Sequence, residues 1–335
     1  QRNEKALAAE SLERCVANLN NNVFDNDDIV WIHEIEQVAL NQSKHSKAMS
    51  ALSIENTPEN AHELLVKLKY WSEFTNPYPQ RHKIYLDEEI KGASKELNRK
   101  DLTHLTCLAI DNSDSSDADD AISIDGDRLW IHIADVASYV EVDSELDIFA
   151  QKRASNLYLP DQIFHMLPPE LSRACSLGGS GSSNAISIGL RLDGSEISDI
   201  EIHLSEIKVT NMSYEHADKV INENEVLSKL NDIAIFHKAF RNDNGAIKLN
   251  LPNVDVKVKA QKVFIRPQED SNSRDLVAEM MVIAGRAIAQ FSIENGISMP
   301  YLTQDTGNFS KDIIENIQNL TIAKAFEASR GFKRS

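Results

Sequence analysis

The chain has 335 residues, enough to bury a large core and fill two or three domains. Its hydrophobic fraction of 41% and charged fraction of 26% are those of an ordinary globular protein, and no run of about 20 apolar residues is evident, so no membrane partner is expected. The net charge of −17 argues by itself against a nucleic-acid partner, because Lys and Arg normally meet phosphate, but it is silent about a local basic groove.

The residues Glu4 to Asn18 have helical spacing of apolar positions, and so does a stretch near residues 27–40, for which Asp27 or Asp28 is the expected N-cap. Thr57 and Pro58 open a third helix as N-cap and first helical residue. The proline-broken segment from Asn76 reads as a turn and linker. Residues 1–90 are therefore expected to form a small, mainly helical domain of helix-turn-helix or winged-helix type with a linker, whose function the residues leave open.

From about Asp101 the pattern changes to short apolar runs, expected as strands around LTCLAI, AISI, RLWIHI, NAISIGLRL, IEIHLSEIKV and DVKVKA, with Asp125-Gly126 as a hairpin turn. Helices are expected at ELDIFAQKRASNLY, at VINENEVLSKLNDIAIFHKAF and from Ser273 to Gly296. Residues 91–335 thus read as one mixed α+β domain. Cys15, Cys107 and Cys175 lie far apart with no C-x-x-C pair, which favours reduced thiols in a cytosol-like compartment over disulfides or zinc. The first residues carry neither a signal pattern nor an initiator Met, so the sequence is expected to begin inside a longer chain. Gly-rich phosphate loops, H-E-x-x-H and G-x-S-x-G are absent from the sequence.

The chemistry concentrates in one acidic segment, Asp111 to Asp120. A charge run is commonly a solvated loop, yet this one is bracketed by the strand-like LTCLAI and AISI, which would hold it against a core. An EF-hand calcium loop is excluded, because its sixth and twelfth positions would be Ser116 and Ile122 in place of Gly and Glu. Crowded carboxylates raise one another's pKa, and a hard divalent cation removes that penalty. On a strand Asp117 and Asp119 would face opposite to Asp120, so convergence needs a bend here. A pair of such cations about 3.5–4 Å apart would suit phosphodiester hydrolysis without a Ser, Cys or His nucleophile. From the residues alone, the solvated loop and the magnesium site stand level.

The D-x₅-D-x-D-D spacing of Asp111, Asp117, Asp119 and Asp120 resembles the signature of the ribonuclease II (RNB) exoribonucleases. Further passages match in order: Trp130 to Val136, Leu157 to Asp161, His165 to Ser172 with Cys175 to Leu177, Gly245 to Ile247, and Leu276 to Met281. The resemblance implies an RNB-type catalytic domain with a Mg²⁺ (or Mn²⁺) cofactor, acting as a processive 3′→5′ exoribonuclease on single-stranded RNA and releasing nucleoside 5′-monophosphates. Asp111, Asp117, Asp119 and Asp120 would be the catalytic metal ligands, Tyr158 would stack on the terminal nucleotides, and Glu279 would lie near the terminal ribose. A cytoplasmic protein is implied, or one of an organelle of bacterial origin if a leader precedes this sequence.

The departures are specific. Ala278 stands before Glu279 where many members have a second glutamate, and Leu249 stands where many have an aromatic partner for the tyrosine. The helical head replaces the usual small β-barrels. The family's Thr-Ser-Pro-x-Arg motif, whose arginine meets the scissile phosphate, would begin just after Gly331–Ser335, and Lys333 and Arg334 are not assigned its role. The domain is therefore expected to be truncated at its C-terminal end. The alternatives are a non-catalytic RNA-binding scaffold with the same fold, or another metal-dependent phosphodiesterase.

Overall fold

The computed structural model describes residues 2–17, 24–85, 97–113, 115, 117–179, 181–246, 253–267, 270–302 and 322–330. Cα packing divides the chain into Gln1–Asp87 with Lys259–Lys262, and Glu88–Val258 with Val263–Ser335.

Within Gln1–Asp87 the first unit consists of helices α1 (Arg2–Ala17), α2 (Asn26–Ala39), α3 (Lys47–Ala51), α4 (Pro58–Lys67) and α5 (Tyr78–Arg81), with no strand among the described residues of that segment. Ile32, Ile35, Met49, Leu65 and Leu68 form its core. Thr57 caps α4 through Asn60 N–H at 3.2 Å, with Pro58 at the first position, where its missing N–H costs nothing. The cap of α2 differs from the expectation of Asp27 or Asp28. Asp25 is the cap: it is extended, its carboxylate accepts from the N–H groups of Asp27 and Asp28, and Asp28 reciprocates on the Asp25 N–H. The segment after Asn76 is also more ordered than a linker, because Arg81 donates to the carbonyls of Ala39 at 2.7 Å and Pro58 at 2.9 Å.

The second unit is built on a seven-stranded mixed sheet of order β1-β8-β7-β4-β3-β2-β9. Its strands are β1 (Lys100–Asp101), β2 (Cys107–Asp111), β3 (Asp120–Asp125), β4 (Arg128–Ala134), β7 (Ser183–Asp193), β8 (Glu196–Ile207) and β9 (Val209–Ser213). The β1/β8 and β2/β9 pairs are parallel, and the pairs between are antiparallel. The period-2 alternation sorts side chains to two faces. Leu108, Ile110, Ile122, Leu129 and Ile131 pack under helices α8 (Tyr214–Val220), α9 (Glu225–Asp243) and α10 (Asn272–Glu294). Cys107, Ala109, Ala121 and Trp130 point to the other side, with Leu102, Leu177 and Ile207.

The remaining described elements are α6 (Glu145–Arg153), β5 (Leu157–Tyr158), β6 (Ile163–Phe164), α7 (Pro169–Cys175), β10 (Val254–Lys259), β11 (Lys262–Pro267) and α11 (Ile322–Ser329). The helix expected through Tyr158 ends at Arg153, because Ala154 turns left-handed at φ +64°. Helix α10 corrects the reading that no segment is long and apolar enough to cross a membrane: by length and composition it is. Leu276, Met280, Ile283 and Ala287 bury that apolar face in the core beneath the sheet, which accounts for its composition.

A polar seam crosses the sheet on its Trp130 side. Ser123 Oγ and Cys107 Sγ lie 2.9 and 3.5 Å from His132 Nε2, Ser187 Oγ lies 2.6 Å from His132 Nδ1, and Ser187 and Ser205 are hydrogen-bonded. Five adjacent strands are thus joined through buried side chains. Burial pushes His132 down to about 4. Cys107 and Cys175 are free and buried, and burial raises both thiols to about 11, which makes them poor nucleophiles.

Candidate active site

The acidic segment joins β2 to β3. Asp111 ends β2 and Asp120 opens β3, and the antiparallel pairing of Leu108 with Ile122 brings both strand ends to one end of the sheet. Ile110 and Ile122 are buried beside them, so the apolar flanks anchor the loop as strand ends. Two backbone hydrogen bonds pin its second half: Leu177 N–H donates to the Ala118 carbonyl and Ala134 N–H to the Asp119 carbonyl, each at 2.8 Å. Asp117 and Asp119 lie in this loop outside any strand, so the alternation that would separate Asp119 from Asp120 does not apply. Asp135, just beyond β4, is locked by a buried ion pair with Arg99 at 2.6 Å.

The carboxylates feel one another. Burial, then the charge of Asp111, then that of Asp119, pushes Asp120 up to about 6. Asp119 is exposed at the surface, yet the protein around its carboxyl still raises it, and Asp117 and Asp111 add to the push. Asp111 accepts from the Asn112 N–H at 2.7 Å, and Ser115 donates to Asp117 at 3.5 Å. The donor chemistry, several carboxylate oxygens with no sulfur or imidazole among them, fits a hard divalent cation. Among the described residues, however, no three His, Cys, Asp or Glu side chains close to the spacing of a metal-ligand set.

Beside the loop stand two groups that the sequence analysis missed. Asp111 pairs with Ser213 across β2/β9, and the next residue, Tyr214, opens α8. Burial raises the Tyr214 phenol, and the nearby Asp111 adds to this. The Arg274 guanidinium, from the first turn of α10, lies 4.0 Å from the Tyr214 ring centroid and donates to Asn112 Oδ1 at 2.5 Å. No local sequence signal marks this association, because its three members come from three distant segments.

The other expected residues occupy separate elements. Tyr158 is 67% exposed on the β5–β6 hairpin, and its hydroxyl accepts from Asn156 at 3.1 Å. Glu279 is buried, and Arg241 Nη1 from α9 donates to its two oxygens at 2.8 and 3.0 Å. Arg241 was also not anticipated. Leu249, Lys333 and Arg334 lie outside the described residues.

An RNB domain matches residues 99–333, and a double HTH domain matches residues 1–77, which answers the open choice between helix-turn-helix and winged-helix heads. A ribonuclease of Synechocystis sp. is 32% identical over 320 residues, covering 86% of this chain and 48% of the relative. Among solved structures, the Dss1 exoribonuclease active-site mutant from Candida glabrata superposes with a TM-score of 0.78 at 20% identity, covering 100% of this chain and 52% of that one. RNase R of Mycoplasma genitalium, in complex with ribose-methylated single-stranded RNA, gives 0.63 at 22% identity over 84% of this chain and 51% of its own. The chain thus spans about half the length of these relatives.

Proposed function

This chain belongs to the RNB family, with a double helix-turn-helix head, and we propose that it forms the metal-binding part of a magnesium-dependent 3′→5′ exoribonuclease that degrades single-stranded RNA to nucleoside 5′-monophosphates. The observation that carries this reading is the pinned loop on which burial, and after it the neighbouring carboxylates, raise Asp119 and Asp120. A loop with only a packing role gains nothing from that repulsion, whereas a cation site needs the charge. The fold shared with an RNase R seen bound to single-stranded RNA supports RNA as the substrate class.

Asp111, Asp117, Asp119 and Asp120 would hold Mg²⁺, with Mn²⁺ as a substitute of similar preference for oxygen. Bound there, the cation would supply Lewis acidity and charge neutralisation for in-line hydrolysis. The chain's own residues bind and orient. The exposed Tyr158 ring would stack on a terminal base, an interaction of about 1–3 kcal/mol. Glu279, held in place by Arg241, would accept a ribose hydroxyl on lone pairs that Arg241 leaves open. The buried, free Cys107 and Cys175 suit a reducing compartment, the cytoplasm or an organelle of bacterial origin.

The test is digestion of single-stranded RNA and DNA of one sequence, labelled at either the 3′ or the 5′ end, with Mg²⁺ or with EDTA. Mononucleotides released from the 3′ end of RNA only with Mg²⁺ are expected, and Asp119→Asn should bind RNA without degrading it. RNA binding with no metal-dependent cleavage would point instead to a scaffold, and equal cleavage of DNA to a broader phosphodiesterase.

A further inference from the structure

Arg274 is an unusual cation for its position. It lies in the first turn of α10, where a positive charge opposes the helix dipole, so its placement needs a compensating reason. Among the described residues it forms no direct ion pair, although its charge reaches Glu215 and Asp218 of α8 and helps to lower both. Its polar side-chain partner is the neutral Asn112 amide, and its face is held 4.0 Å from the Tyr214 centroid. Stacking on a ring fixes the plane of a guanidinium without consuming its N–H donors, and only one Nη is spent on Asn112. Several donors therefore stay available in a preset orientation.

The location is equally specific. Asn112 directly follows Asp111, and Tyr214 directly follows Ser213, the residue paired with Asp111. The guanidinium is thus tethered to the residues that immediately follow β2 and β9, the strand that carries the first aspartate and the strand that flanks it. Ser273, next to Arg274, is fixed as well: its N–H donates to Asp218 at 2.8 Å and its hydroxyl to the Tyr214 carbonyl at 3.2 Å. The whole turn is clamped to α8.

We propose that Arg274, stacked on Tyr214, is a phosphate-binding residue that draws a backbone phosphate of single-stranded RNA to the Asp111 side of the acidic loop. The anion takes up the donors that neither Asn112 nor a direct carboxylate contact occupies, and the guanidinium offsets the repulsion that an approaching phosphodiester meets from the aspartates. This rests on the exoribonuclease reading and adds to it a binding residue from a different element.

The experiment measures RNA affinity against salt for the full-length protein carrying Asp119→Asn, with and without Arg274→Gln, and steady-state kinetics for the same Arg274 changes in the otherwise native protein. One lost phosphate contact should weaken binding about tenfold and lower the magnitude of the log K against log salt slope by about 0.7, the increment for a single strand. Arg274→Lys keeps the charge but not the planar stack, so it should restore the slope and only part of the affinity. An Arg274→Gln protein with native affinity and slope overturns the proposal while leaving the nuclease reading intact. A loss of thermal stability with an unchanged slope also overturns it, since that marks a merely structural arginine. A parent protein that neither binds nor cleaves RNA removes the functional reading and this inference together.

Discussion

The seam through the sheet makes stability depend on pH in a way that can be worked out. His132 is fully buried between Ser123, Cys107 and Ser187, and in the folded chain it titrates at about 4 against an ordinary 6.5. The unfolded chain therefore binds the proton first. Between those two values the unfolded state holds more protons than the folded one, so stability falls as pH falls from 6.5 towards 4 and is level above. The full shift corresponds to about 3 kcal/mol, most of which should be lost between roughly pH 7.5 and roughly pH 4.5. His132→Gln keeps hydrogen-bonding atoms but cannot titrate. Urea melts of both proteins across this range separate His132 from every other group, because the common titrations cancel in the difference. The expected result is that His132→Gln loses about 2–3 kcal/mol less than the native protein on acidification, whatever its absolute stability. Parallel pH profiles would refute the reasoning, since they would mean that the imidazole is not held neutral by burial.

The acidic loop gives a prediction of opposite sign. Burial and its neighbours raise Asp120 from 3.8 to about 6, so the cost of ionising it appears as pH rises through that window and is complete above it. Asp120→Asn should therefore stabilise the metal-free protein by about 1–3 kcal/mol at neutral pH and by nothing near pH 3, read from thermal melts. Added Mg²⁺ should raise the melting temperature of the native protein more than that of Asp120→Asn, and equal responses would remove Asp120 from the cation site. Breaking the buried Arg99–Asp135 pair with Asp135→Ala should cost about 3–5 kcal/mol in chemical denaturation, because it strands a buried guanidinium. Tyr158→Ala should weaken RNA binding by about 1–3 kcal/mol with an unchanged melting temperature, because the ring is exposed and packs on no core.

The parts of the molecule legible from sequence were those governed by local rules. Alternation in Cys107–Asp111 sorted Leu108 and Ile110 from Cys107 and Ala109 onto two faces, and Thr57-Pro58 marked a helix start. Asp125-Gly126 marked the hairpin to within one residue: Asp125 closes β3 opposite Arg128, and Gly126, at φ +61°, makes the two-residue connection with Asp127. Asp25 was passed over as a cap because three nearby aspartates satisfy the same preference, and only the backbone conformation distinguishes them. The strand at Tyr158 was hidden for a similar reason: the left-handed turn at Ala154 that ends α6 has no signature in an alanine. The acidic loop was legible as a candidate site because its aspartates cluster within ten positions. Its long-range partners were not. Arg274 meets Asn112 across 162 residues and Arg241 meets Glu279 across 38, and no spacing rule reaches that far.

The order of manufacture at the ribosome follows from the sheet's topology. The aspartates leave the exit tunnel early, on a strand whose two neighbours arrive at very different times. β3 follows after a short loop, but β9, the parallel partner that covers the outer side of Asp111, is made only after β4, β7 and β8. Until then β2 is a raw edge beside a knot of negative charge. Translation must reach Ser213 before that flank closes, and it must reach Arg274 before the side chain that bonds Asn112 exists. A pause or break anywhere in this interval would leave a nascent chain that carries the acidic loop without the rest of its setting.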